Sequence, residues 1–361
     1  MKIFLDTNIF YNDWFLRNAN FKYLFHFINN EWHSLLLSEL VLEESGNIRN
    51  REIDEALLEI SKSIKKIIKL NNTKVDISKE SLGIVEYHLL PILQNKTERI
   101  ELISYDSISQ HHVVQRALLN KKPFLDGEKG YRDTLIWLSL IDYLVFNNIE
   151  EDIAFICENK KDFYKSSNNK GLAFHEDLLL DIASKGVKAK IIPFSSLYEF
   201  VKSTIDKDEH AIDHEKTAEI FDHFIEYSAV EFLEALSNKD LSHYLRTNIF
   251  DSKVKDIIEI RVEIYEGLED LEVLSTKEIG KNEIYVSYKY NIRGTIIELD
   301  IPTLDYMTNK SELDKIFNDI VHSNEVVTGR IFIRPYFTVS FIYNEKTEEL
   351  TNYEVADLCF K

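Results

Sequence analysis

Cysteine, proline and glycine are all scarce in this chain. The two cysteines, Cys157 and Cys359, lie far apart in 361 residues. They give no disulfide framework and no cysteine-based zinc site, and a cytoplasmic compartment is the simplest expectation. Five prolines and ten glycines argue against repeats and low-complexity linkers. No apolar run approaches the roughly 18 residues of a membrane span, so no membrane partner is expected. The N-terminus has no charged stretch followed by a long apolar core, so no secretory signal is expected either. There is no Gly-Lys-Thr phosphate loop and no Gly-x-Ser-x-Gly elbow. Nucleotide hydrolysis by that route and serine-hydrolase chemistry are therefore unsupported.

What is present is ordinary in kind and uneven in distribution. Hydrophobic residues make up 44% and charged residues 29%, values of a globular protein. The length suggests two domains, or one large domain with additions. The net charge of −19 falls mostly in the second half: residues 1–205 hold 26 basic and 29 acidic residues, and residues 206–361 hold 17 and 33. Such asymmetry points to two units with different partners. The acidic half repels a nucleic-acid backbone and fits a basic protein partner or regulator, while the near-neutral half still has room for a local basic patch.

Taken in order, Ile3-Phe4-Leu5 is a short apolar run that stops on Asp6-Thr7-Asn8. A buried strand ending on a carboxylate delivers it to the carboxyl edge of a parallel sheet, where open α/β folds place their chemistry. Asp6 is equally able to be only a helix cap. Periodicity predicts a helix over 12–29, a strand over 33–37, and a long helix over 39–70 capped by Ser38. Further helices are expected over 81–94, 106–119 and from Asp133 to residue 146. Strands are expected over 153–157 and 189–192, with helices over 177–183 and 196–202. Short apolar strands alternating with helices mean a parallel sheet with helices on both faces. The charged stretch 203–216 reads as a boundary, giving domains 1–204 and 205–361. Beyond it come a helical segment over 217–245 and period-two strands over 257–264, 284–290, 295–301, 330–333 and 336–343. One helix, 311–320, interrupts them, so this is a smaller acidic α+β domain, mainly antiparallel.

Four acidic positions share one topology. Asp6 ends the first strand, Glu44 (or Glu43) sits early in the helix after the second, Asp133 opens a buried helix, and Asp162 follows the strand 153–157. A carboxylate cluster repels itself unless a cation sits within it. Hard ions such as Mg²⁺ or Mn²⁺ prefer oxygen ligands, and a pair of them activates water for phosphodiester cleavage. Arg116, Lys121, Lys122, Lys129 and Arg132 flank the third acid; they are either phosphate contacts or a solvated basic loop. Tyr131 either stacks on an unpaired base or packs at the helix start. His111 and His112 point in different directions on a helix, with no companion at ligand spacing, and read as structural or surface residues.

LDTNIF, SELVLEE, GYRDTLIW and ENKKDF, in this order and at these intervals, resemble the acidic motifs of the PIN-domain nucleases. The nearest likeness is to the large bacterial branch with a KPF…GYRDTLIW segment. The resemblance covers about residues 1–198. It implies a Mg²⁺- or Mn²⁺-dependent endonuclease acting mostly on RNA, with Asp6, Glu44, Asp133 and Asp162 as catalytic metal ligands. It also implies that Thr7 and Asn8 orient the first acid, and that Asn159 helps to hold a water at the metal. Hydrolysis would leave a 5′-phosphate and a 3′-hydroxyl. A toxin or anti-phage role is compatible by analogy of fold, as is an oligomer. The competing readings are a PIN-fold binding or scaffold protein that no longer cleaves, and a structure-specific DNA nuclease. The full set of acids argues against the first, and the lack of a basic helical arch against the second.

Overall fold

A computed structural model describes residues 1–11, 13–71, 78–79, 81–124, 129–165, 172–205, 214–323 and 325–361. The chain divides into two compact units, Met1–Arg17 with Phe21–Ser203, and Asn18–Asn20 with Thr204–Lys361. Most of the polar stretch 203–216, and part of the basic segment before Asp133, lie outside the described residues. Among the described residues, no helix is long and apolar enough to cross a membrane.

The first unit is built on strands β1 (Lys2–Leu5), β2 (Ser34–Ser38), β3 (Ile100–Ile103), β4 (Ile153–Ile156) and β5 (Ile191–Phe194). They form one parallel sheet in the order β3-β2-β1-β4-β5. Helices α1 (Ala19–Asn30), α2 (Glu39–Asn71), α3 (Leu89–Gln94), α4 (Gln110–Leu118), α5 (Tyr131–Phe146), α6 (Lys160–Phe163), α7 (Glu176–Lys185) and α8 (Leu197–Thr204) flank it. β1, β2 and β4 read as continuous apolar runs because a parallel sheet is covered on both faces. Phe4 stacks on Phe155 at 5.4 Å across β1 and β4, and Trp137 of α5 meets Phe155 edge-on at 5.8 Å. Strand order runs outward from β1 in both directions, which makes the carboxyl end of β1 the switch point of the sheet.

Several sequence expectations need correction here. The helix expected from residue 12 begins at Ala19, and Asn12 itself lies outside the described residues. Asp13 accepts from the amides of Phe15 (3.2 Å) and Arg17, and Leu16 takes φ +56°, so a side chain satisfies donors that a helix would have used. The helix expected over 81–94 is confined to α3, because Gly83 turns the chain at φ +64°. The helix expected over 106–119 starts only at Gln110. β3 escaped the reading because its run is short and centred on Glu101, whose charge is taken up by Lys2 and by the Tyr143 hydroxyl at 2.7 Å. The strand expected over 189–192 is displaced by two residues, to β5.

The second unit begins with helices α9 (His214–Glu234), α10 (Asn238–Tyr244) and α11 (Ile249–Ser252). The expected single helix over 217–245 is broken at Ser237, which forms a capping box with Asp240. An antiparallel sheet follows: β6 (Glu259–Gly280), β7 (Glu283–Pro302), β8 (Asp319–His322), β9 (Val326–Ile333), β10 (Pro335–Asn344) and β11 (Glu349–Phe360). Its order is β11-β10-β7-β9-β8, with β6 on β7. The strands expected over 284–290 and 295–301 are one strand, β7. Its partner β6 runs far past residue 264, and four register shifts break its alternation. The two are joined by Lys281 and Asn282, both at positive φ (+57° and +60°), the geometry of a tight hairpin. Helix α12 (Thr303–Leu313) replaces the helix expected over 311–320. Pro302 sets its start, and residues 319–322 pair with β9 instead of continuing it. Phe221 of α9 anchors the core against Phe341 and Tyr343, at 5.0 and 5.5 Å. Acids on the open strands are matched by arginines: Arg261 pairs with Glu298 and Asp300, and Arg330 with Glu298 and Asp319.

Candidate active site

The ladder between β1 and β4 continues one residue past the strand, because the Asp6 amide donates to the Ile156 carbonyl at 3.0 Å. That bond fixes where the Asp6 carboxylate leaves the sheet. A cleft of about 340 Å³ opens at this point, lined by Asp6, Glu44 and Asp133 with Thr7, Asn8 and Asn159. Each acid arrives on a different element. Glu44 is in the second turn of α2, Asp133 in the first turn of α5, and Asp162 in α6 after β4.

Asp6 is 3% exposed, and its Oδ2 accepts from the Cys157 thiol at 3.0 Å. Burial, reinforced by the charges of Glu44 and Asp162 and partly offset by hydrogen bonds from Cys157 and Thr7, pushes its carboxyl up to about 6. Asp133 rises to about 7, first by burial and then by the charges of Asp6, Asp162 and Glu44. Asp162 is buried and does not line the cleft, but both neighbours feel its charge. Burial raises its own carboxyl, opposed by a bond from Asn159 and by Lys122 and Lys161. Its Oδ1 has no hydrogen-bond partner, a costly state for a buried oxygen. Glu44 is differently placed: Thr7 Oγ1 donates to its Oε2 at 2.8 Å, and Arg132 pairs with its Oε1.

Between the two candidates of the sequence register, Glu44 lines the cleft. Glu43 does not, and instead accepts from the Tyr105 hydroxyl at 2.9 Å. Asn8 Oδ1 accepts from the Glu158 amide at 3.2 Å, and its Nδ2 reaches the Cys157 sulfur at 3.5 Å. The Asn159 amide also donates to that sulfur, at 3.3 Å. Arg132 lies at the cleft. Lys122 donates its Nζ to the Lys161 carbonyl at 2.8 Å. Lys121, Lys129 and Tyr131 are exposed, as are His111 and His112 on α4.

Arg116 is a correction to the basic set. It is buried, with its guanidinium held by Asp181 at 3.0 Å and by the Lys122 carbonyl at 2.7 Å. Asp181 also accepts from Trp137 Nε1 at 2.9 Å, so Arg116 ties α4 to α5 and α7 and offers no charge to a substrate.

Two cleft residues, Tyr11 and Glu158, were not singled out from the sequence, nor was the role of Cys157 against Asp6. Tyr11 lies one turn after Thr7, and burial raises its hydroxyl pKa. The signal for Cys157 was register: Leu5 pairs with Ile156, so the next residues, 6 and 157, emerge side by side.

Among the described residues, no three His, Cys, Asp or Glu side chains converge as a ready-made ion shell; Glu44 is turned toward Thr7 and Arg132. The donor chemistry nonetheless fits a hard divalent ion. Asp6 and Asp133 feel the charges of the other acids, burial with those charges drives both toward neutral pH, and one buried oxygen of Asp162 has no partner. A cation relieves all three conditions.

Residues 3–163 match the family model of the PIN domain. No curated protein and no solved structure matches the chain.

Proposed function

We propose that this chain, whose N-terminal unit is a PIN domain and therefore a nuclease fold, is a divalent-metal-dependent endoribonuclease. The observation that carries the proposal is the delivery of Asp6, Glu44 and Asp133 by separate elements to one cleft at the sheet edge, where burial, reinforced by neighbouring acids that include Asp162, raises the carboxyls of Asp6 and Asp133. Asp6, Glu44, Asp133 and Asp162 would hold one or two Mg²⁺ or Mn²⁺ ions. Bound there, such ions supply the positive charge that makes a water nucleophilic and steadies the departing oxygen.

The chain's own residues do the rest. Thr7 fixes the Glu44 carboxylate through Oε2. Asn8 holds the end of β4 against the end of β1, and the Asn159 amide holds the Cys157 sulfur whose thiol bonds Asp6, so that Asp6 keeps its direction. Asp133, raised to about 7 by burial and its acidic neighbours, divides between protonated and ionised forms near neutral pH, and positive charge in the cleft favours the ionised form. Arg132, paired with Glu44, and Lys122 and Lys161, whose charges reach Asp162, are cations close to the acids that would meet a phosphate. Water attacks phosphorus, the bond from phosphorus to the 3′-oxygen breaks, and the products carry a 5′-phosphate and a 3′-hydroxyl. No protein nucleophile is required.

Two results test this reading. The full chain should cut a mixed small-RNA pool with Mn²⁺ but not with EDTA, and Asp6→Asn should not cut it. Preference for flapped DNA over RNA would assign a different substrate, and no cutting of any nucleic acid would reject the enzyme. Metal alone should also stabilise the chain. At a hundredfold excess over Kd, linkage gives about 2.7 kcal/mol, read as a rise in Tm with Mn²⁺ that Asp6→Asn loses.

A further inference from the structure

Arg132 stands where a helix does not favour a cation. It is the second residue of α5, in the first turn, where the helix dipole prefers negative charge. Its contact is not local. It reaches the Oε1 atom of Glu44 on α2, and it is the more exposed partner: the Arg132 side chain is 61% exposed and that of Glu44 is 9%. With Thr7 on Oε2, both oxygens of Glu44 are engaged. Asp162, by contrast, keeps an unpartnered oxygen. Among the described residues, Glu44 is thus the one acid of the four held in a direct ion pair with a cation of the chain itself.

We propose that Arg132 is a displaceable counter-ion. It neutralises Glu44 while the cleft holds no metal, gives up that carboxylate when a divalent ion takes it, and is then free to bind a phosphate of the nucleic-acid strand. This rests on the metal-dependent reading above. One guanidinium serves both states because carboxylate and phosphate present the same paired oxygens to its fork of N–H donors. Its exposure lets it turn from one to the other without repacking the core. Its position next to Asp133 in the sequence keeps the released charge beside the reacting phosphate. The exchange also ties metal entry to substrate binding: a chain without metal has its phosphate-binding arginine occupied, so the two ligands should favour each other.

The test is calorimetric titration of the full chain with Mn²⁺, alongside binding of a short single-stranded RNA in Ca²⁺ and in EDTA. Arg132→Gln should bind Mn²⁺ roughly tenfold more tightly than wild type, since the ion no longer competes with a bound guanidinium, a difference equal to about 1.4 kcal/mol. It should also lose the gain in RNA affinity that wild type shows on going from EDTA to Ca²⁺. Lys129→Gln removes the same charge from the segment leading into α5 without touching Glu44, and should leave Mn²⁺ affinity near wild type. Unchanged or weaker Mn²⁺ binding by Arg132→Gln, with normal binding by wild type, overturns the exchange and leaves the metal site standing. An equal gain in Lys129→Gln also overturns it, by reducing the effect to general charge. No Mn²⁺ binding by wild type overturns the exchange together with the reading it rests on.

Discussion

Asp133→Asn is expected to slow RNA cleavage by about 10³-fold, at least the loss that follows removal of one electrostatic group at a reacting centre, while making the metal-free chain more stable. The two effects have one cause. Asp133 is forced into a partly buried position beside Asp6, Asp162 and Glu44, and its carboxyl rises from 3.8 to about 7, first by desolvation and then by those charges. A raised carboxyl means the folded chain holds a proton that the unfolded chain has released. Stability from this group is therefore lost as pH rises from about 4 to about 7 and is level above that window. Asn carries no charge to repel, so the variant escapes the loss. Thermal unfolding in EDTA should show no gap between variant and wild type near pH 4 and a gap that opens toward pH 7. There the variant should melt about 2–4 °C higher, the shift that roughly 1 kcal/mol brings in a unit of this size. With Mn²⁺ the order should narrow or reverse, because only wild type binds the ion fully. A variant that is less stable at pH 7 in EDTA would show that the carboxylate is satisfied, not strained.

Gly130→Ala is expected to cost the most stability of any single-methyl change near the site. Gly130 precedes α5 with φ +105°, outside the region open to other residues. A methyl group there would lie 2.5 Å from the Pro123 carbonyl oxygen and 3.0 Å from Phe124 Cα. Both are backbone atoms and do not swing aside. Strained dihedrals cost roughly 1–3 kcal/mol and overpacking roughly 1–3 kcal/mol more, giving roughly 2–6 kcal/mol in total. The next residues are Tyr131, Arg132 and Asp133, so relief by shifting the start of α5 moves two cleft side chains. The variant should lose both Tm and Mn²⁺ affinity. Gly83→Ala is the matched control: its φ is +64° and nothing lies within 4 Å of the added carbon, so it should show the dihedral cost alone. Equal losses in the two variants would remove the steric part of the argument.

The places of three acids in the fold were legible because each sits where local rules are strong. Asp6 ends an unbroken apolar strand, Glu44 follows a capped helix start, and Asp133 opens a helix too apolar to be anything but buried. What could not be read depended on partners distant in sequence. Arg116 looked like a free cation beside the third acid, but its charge is spent on Asp181, 65 residues later. Cys157 carried no motif, and only the pairing of β1 with β4 places its sulfur against Asp6. The missing part of the first expected helix was lost to a side chain, Asp13, capturing backbone donors. In the second unit, β6 hid behind its own bulges, since a shifted register erases the alternation by which strands are recognised.

The most direct measurement of the central claim is the chemistry of the cut ends. The full chain would be incubated with an end-labelled single-stranded RNA, with Mn²⁺ or with EDTA, and the termini of the fragments determined. Hydrolysis by water at a carboxylate-held metal site predicts fragments only with Mn²⁺, every new end being a 5′-phosphate or a 3′-hydroxyl. Cutting that persists in EDTA would contradict it by removing the metal from the reaction, and fragments ending in a 2′,3′-cyclic phosphate would contradict it by placing the nucleophile on the RNA itself; either result leaves the four carboxylates without the role assigned to them.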